Sequence, residues 1–202
     1  MILDIVKYGD PVLRARGKPV KEVDARLRQL ALDMLETMEA ARGVGLAAHQ
    51  VGVPIQMTVI DVAEVEDRPS TMSIGGKLVP LAEHMPLVLL NPELKLGKEK
   101  ESGNEGCLSF PELSAEIVRS TEVQVRAQTL EGRVIEFTAT GLLARALQHE
   151  VDHLHGVLFI DRMNSAAKVS LAGKLKRLQR ETAAELSDEG AGNPLSRRDD
   201  RD

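Results

Sequence analysis

The chain has no tryptophan, one tyrosine and three phenylalanines, so aromatic residues make up 2% of its 202 residues. Proteins that read nucleic acid by stacking bases need aromatic faces, and this sequence has too few to build such platforms. A single cysteine, Cys107, excludes an intrachain disulfide and fits a reducing compartment. No apolar run approaches the roughly 20 residues needed to cross a bilayer, and Met1 to Asp10 lacks the basic and apolar regions of an export signal. These absences predict a cytoplasmic chain with no membrane partner. Positive charge is also in deficit: the formal net charge of −5 argues against a general nucleic-acid-binding surface, and no specific DNA partner is expected.

What is present suits one globular domain, since 43% of the residues are hydrophobic. Gly9, Pro11, Gly17 and Pro19 keep the first twenty residues irregular. A helix is predicted from Asp24, a natural N-cap, with Leu27, Leu30, Ala31, Met34, Leu35, Met38 and Ala41 at helical spacing. Gly43, Gly45 and Gly52 punctuate a loop, and residues 56–62 have strand character. The polar stretch 64–86, with its glycines and prolines, reads as a surface insertion. Strands are predicted at 87–90, 116–127 and 133–138, followed by a helix from Gly141 to about His155 that Gly156 closes. A second helix is expected over 165–186 and a frayed tail over 187–202. The result is an α+β domain, mostly antiparallel strands around the late helix, with a C-terminal helix after it.

The densest chemistry is QHEVDH, Gln148 to His153. Two histidines four positions apart lie one above the other on a helix, so both imidazoles of His149 and His153 can reach one ion. Glu150 sits about 100° around the helix from His149, near enough to meet water at that ion as a general base. A catalytic site needs a third protein ligand and an open position. In metzincin proteases that ligand is a histidine six residues after the second, but Phe159 stands there. Glu181 and Glu185 could serve in a thermolysin-like arrangement, and Cys107 offers a soft thiolate. Spacing alone leaves these open.

Three segments read together resemble peptide deformylase of the bacterial type: GVGLAAHQ at Gly43 to Gln50, EGCLS at Glu105 to Ser109, and QHEVDHLHG at Gln148 to Gly156. The opening YGDPVLR, Tyr8 to Arg14, is similar too, so the resemblance covers roughly residues 1–165 and marks them as a catalytic domain, with 166–186 a C-terminal helix and 187–202 a flexible tail.

The resemblance implies that Cys107, His149 and His153 are the metal ligands and that the reaction removes the N-formyl group from the initiator methionine of nascent polypeptides. It further implies that Glu150 moves the proton from water to the departing amine. Gln50 and the backbone N–H of Leu108 are the oxyanion donors it implies. Glu105 and Arg119 match charged positions that support a ligand histidine in the family. Gly43, Val44, Gly45, Gly106 and Leu142 are expected at the substrate, with Leu142 and Ala146 continuing the metal-bearing face as an apolar stripe for the methionine side chain. A Cys and two His set accepts zinc, iron(II), nickel or cobalt, and the family commonly works with iron(II).

Two departures stand out: the long 64–86 segment, and Ser114 where some bacterial members carry an arginine. The last helix carries Lys168, Lys174, Lys176, Arg177 and Arg180 before its first acid, Glu181. Bacterial deformylases with a similar helix dock on the ribosome, which makes ribosomal RNA an expected contact. Competing readings are a zinc endopeptidase built on the HExxH pattern, a cysteine hydrolase using Cys107, and a non-catalytic peptide binder.

Overall fold

Asp24 caps a helix as its residue type favours: its carboxylate accepts from the Leu27 N–H at 2.8 Å, and helix α1 runs over Ala25–Ala40. The computed structural model describes residues 1–192. The buried stripe of α1, with Ala31, Met34 and Met38, packs on strands β1 (Gly45–Ala47) and β2 (Met57–Ile60). Further strands are β3 (Ser70–Ile74), β4 (Lys77–Val79), β5 (Leu87–Leu96), β8 (Glu122–Gln128) and β9 (Val134–Thr140). Together these form one antiparallel sheet in the order β1-β2-β5-β8-β9-β3-β4. Strands β6 (Lys100–Gly106) and β7 (Ser114–Ser120) pair separately as a two-stranded ribbon.

Helix α2 (Gly141–Leu154) lays Leu142, Leu143, Ala146 and Leu147 against Ile60, Leu89, Val123 and Phe137 of the large sheet. Its side toward the ribbon is docked by Gln148, which accepts from the Ser120 N–H at 3.0 Å and donates to the Ser120 carbonyl at 2.9 Å. The His149–His153 face is thereby held between sheet and ribbon. Helix α3 (Phe159–Arg162) and helix α4 (Ser165–Gly192) follow. Leu171, Leu175 and Leu178 of α4 pack on a second core around Leu13, Phe110, Ile117 and Phe159. No helix among the described residues is long and apolar enough to cross a membrane.

The structure corrects three element readings. The 64–86 segment is not a mere surface insertion, because β3 and β4 extend the sheet beside β9, with Met72 buried and Val65, Val79, Leu81 and Met85 packed on the core. Ser70 Oγ also accepts from the Leu143 N–H at 2.9 Å, supplying the first turn of α2 with a cap that Thr140 does not. The stretch 116–127 is two strands in two sheets, broken at Thr121, and β6 has no counterpart in the sequence reading. Alternation continues through the break, so periodicity alone could not locate it. The last helix reaches Gly192, beyond the predicted start of the tail at 187, and the remainder of that tail, 193–202, lies outside the described residues.

Candidate metal centre and its cleft

Cys107 leaves the end of β6 just where the ribbon meets α2, and this brings its sulfur against the helix face carrying both histidines. Cys107 Sγ lies 3.3 Å from His153 Nε2. The donor atoms of Cys107, His149 and His153 all fall within 4.8 Å of one another. One thiolate and two imidazoles on three sides of one point suit a tetrahedral ion with an open fourth position. Glu181 and Glu185 lie elsewhere, lining a groove between α4 and Pro111–Leu113 with Lys7 and Arg177. Phe159, at the metzincin position, is a packing residue whose ring stacks behind His149 at 6.3 Å. The column continues through Phe110, edge-on to Phe159 at 5.0 Å, to Tyr8 at 4.8 Å, so three of the four aromatic residues back one imidazole.

His149 is oriented from behind: its Nδ1 lies 3.0 Å from Glu105 Oε2, which leaves Nε2 toward Cys107 and His153. Burial lowers the affinity of His149 for a proton, but Cys107 and Glu105 beside it outweigh that and hold its pKa well above the ordinary value. Burial and the neighbouring His149 push His153 the other way, well below its ordinary value. Burial would raise Glu105, yet the His149 and Arg119 donors hold its carboxyl well below the usual carboxylate range. Arg119 grips Glu105 through both Nε and Nη2 at 2.9 Å, and its Nη1 turns to Asp152, which Arg162 also holds.

Of the groups above, Glu105, Cys107 and His149 line a cleft of about 710 Å³. Gly43, Val44, Gly45, Gly106, Leu108, Leu142 and Ala146 line it together with Gln50 and Glu150. Arg119 and His153 sit beneath this surface, while the neighbouring Ser114 lies on it. Glu150 is buried, and its Oε2 has no partner among the described residues. Burial pushes its pKa up to about 7, with Glu105 adding to the rise and His149 opposing it. A carboxylate poised there can both take and return a proton near neutral pH.

Gly45 stands against this carboxylate: a Cβ at that position would lie 2.8 Å from Glu150 Cδ. Gln50 donates from Nε2 toward Cys107 Sγ at 3.5 Å and Ser109 Oγ at 3.3 Å. The Leu108 N–H donates to no protein acceptor among the described residues. The cleft therefore offers a cation site, a carboxylate of tuned basicity and two N–H groups, which is the equipment of a hydrolase acting on a carbonyl. Sequence reasoning missed Arg145 and Asp152, whose partners Glu105 and Arg119 lie on strands distant in the chain, as well as Arg162, which holds Asp152, and the backbone of Ala47, which holds Gln50 locally.

Comparison with known proteins gives a consistent family. The family described as Polypeptide deformylase matches residues 2–169. The chain is 48% identical over 180 residues to a peptide deformylase of Methylacidiphilum infernorum, covering 89% of this chain and 94% of the relative. It is 42% identical over 186 residues to one of Opitutus terrae, covering 91% and 96%. Among solved structures, peptide deformylase from Legionella pneumophila superposes with a TM-score of 0.75 at 36% identity, covering 91% of this chain and 98% of that one. That from Thermotoga maritima gives 0.69 at 39% identity, covering 81% and 99%.

Proposed function

The chain belongs to the polypeptide deformylase family, and from that premise we propose that Cys107, His149 and His153 hold the ion at which Glu150, Gln50 and Leu108 carry out deformylation. The enzyme is a metal-dependent hydrolase that removes the N-formyl group of N-formylmethionyl nascent peptides and releases formate. The observation that carries the residue assignment is the convergence of three donor atoms within 4.8 Å in one cleft with the buried Glu150, whose Oε2 has no partner among the described residues.

When bound, a divalent ion supplies Lewis acidity, making water nucleophilic near neutral pH and polarising the formyl carbonyl. Glu150 accepts the proton that water loses as its oxygen bonds to the formyl carbon. The same carboxyl then returns that proton to the peptide nitrogen as the carbon–nitrogen bond breaks, leaving formate and a free amine. Gln50 Nε2 and the Leu108 N–H face the oxygen on which charge develops. Glu105, braced by Arg119, fixes the His149 ring. Gly43, Val44, Gly45, Gly106 and Leu142 bound the space for the methionine and its backbone.

The test is formate release from formyl-Met-Ala-Ser by anaerobically purified protein, with Glu150→Ala and Cys107→Ala as comparisons. Wild-type turnover with both variants silent is expected, and turnover retained by Glu150→Ala overturns the scheme. The family places the chain apart from endopeptidases, so no cleavage of internal peptide bonds is expected.

Iron(II) is the proposed physiological ion, with zinc, nickel or cobalt able to substitute at a Cys and two His set. Activity lost in air and restored by fresh iron(II) supports this, whereas air-stable activity points to zinc. We place the enzyme in the cytoplasm, where formylated chains emerge, and assign catalysis to residues 1–165. The exposed Lys168, Lys174, Lys176, Arg177 and Arg180 of α4 support a contact with ribosomal RNA. Because Leu171, Leu175 and Leu178 are built into the core, charge reversal at Lys168, Lys176 and Arg180 tests this better than truncation. Ribosome binding that is unchanged and insensitive to salt in that variant would rule the contact out.

A further inference from the structure

One buried cation in the cleft wall has no task in this scheme. Arg145 lies on α2 one turn before His149, and its side chain is 11% exposed. Its Nη1 donates to Glu105 Oε1 at 2.9 Å and to the Ile117 carbonyl at 2.8 Å, and its Nη2 to the Glu101 carbonyl at 3.0 Å. Glu105 is thereby saturated: Oε1 takes Arg119 Nε and Arg145 Nη1, while Oε2 takes Arg119 Nη2 and His149 Nδ1.

The guanidinium occupies the place of a missing side chain. A Cβ on Gly103 would come 2.8 Å from Arg145 Nη2 and 2.9 Å from its Cζ. What a methyl there would meet is the far end of a flexible side chain, so it would displace the guanidinium and leave the β6 backbone where it is.

We propose that Arg145 is a positioning residue for His149, acting through Glu105, and that Gly103 provides the seat for its guanidinium. Arg119 reaches Glu105 from the ribbon, and its own link to α2 runs through Asp152. Arg145 ties the same carboxylate to α2, the helix that carries His149, so acid and imidazole are referenced to one rigid element four residues apart. With Arg145 gone, Glu105 keeps only the indirect tie to α2 through Arg119 and Asp152, and the Nε2 direction of His149 is held less firmly. This rests on His149 being a ligand.

The experiment measures zinc dissociation constants by competition with a chromophoric chelator, alongside steady-state kinetics of metal-saturated protein. The variants are Arg145→Gln, Arg145→Lys, Gly103→Ala and the Gly103→Ala/Arg145→Gln double. Arg145→Gln and Gly103→Ala are each expected to weaken zinc binding by about tenfold, the low end for losing an outer partner of a metal ligand. Arg145→Lys recovers part of the loss, and the double variant is no worse than Arg145→Gln alone. A folded Arg145→Gln chain that binds zinc like wild type, with only a raised KM for the formylated peptide, makes Arg145 a pocket wall and overturns the proposal. So does a Gly103→Ala change that weakens zinc equally in both backgrounds. Should Arg145→Gln not fold, unchanged zinc binding by Gly103→Ala has the same force. A wild-type chain that binds no zinc overturns the ligand set itself.

Discussion

The peptide N–H of Ala47 donates to Gln50 Oε1 at 2.9 Å, and that one bond decides which end of the Gln50 amide faces Cys107. Carbonyl oxygen toward the backbone leaves the NH₂ group toward the site. Gln50→Ala is expected to lower kcat by about 10² to 10³, the usual loss for one oxyanion donor, with zinc affinity unchanged. If the change raises KM alone, Gln50 only braces its loop.

Gly45 and Glu150 are in such close approach that a methyl on the first must move the second. Gly45→Ala therefore acts as a displacement of the base without removing it. A folded, zinc-binding variant with turnover reduced at least tenfold is expected, and Glu150→Gln, which keeps the shape and removes the basicity, should lose 10² to 10⁴. Normal turnover in Gly45→Ala would mean that the carboxylate works from another position.

His49 is fully buried, and neither ring nitrogen has a hydrogen-bond partner among the described residues. Burial, reinforced by His155, pushes its pKa below the ordinary value of 6.5. The unfolded chain then binds a proton that the folded chain refuses, so stability is complete above about pH 6.5 and falls as pH drops from there toward the depressed folded value. His49→Leu should flatten the dependence of Tm on pH across that window relative to wild type. Parallel curves for the two proteins would contradict this.

Ser70→Ala removes the acceptor for the Leu143 N–H. Loss of a helix-start acceptor costs about 0.5 to 2 kcal/mol, so Tm should fall by several degrees while zinc affinity of the folded protein holds. An unchanged Tm would show that water replaces the hydroxyl at no cost.

The parts legible in the sequence are those whose signal is local. The helical spacing of His149, Glu150 and His153, the Asp24 cap and the Gly141 helix start each lie within a few residues of the feature they announce. Cys107 was legible only through resemblance, since nothing in its neighbours ties it to a helix some forty residues later. Arg145 was illegible because a lone arginine on a helix reads as a solvated face, and its acceptors Glu101, Glu105 and Ile117 belong to strands paired elsewhere. The 64–86 stretch misled for a related reason. Its strands are short and polar on one side, and only pairing of β3 with β9 makes them part of the sheet.

The ring column that ends on His149 begins at Tyr8, and the chain has no tryptophan and no second tyrosine. Its tyrosine emission and the corresponding near-ultraviolet dichroism thus come from a single residue, whose ring packs at the far end of the column from the His149 imidazole. Any change at tyrosine wavelengths on ion uptake is therefore read at Tyr8 alone, with no label and no substitution.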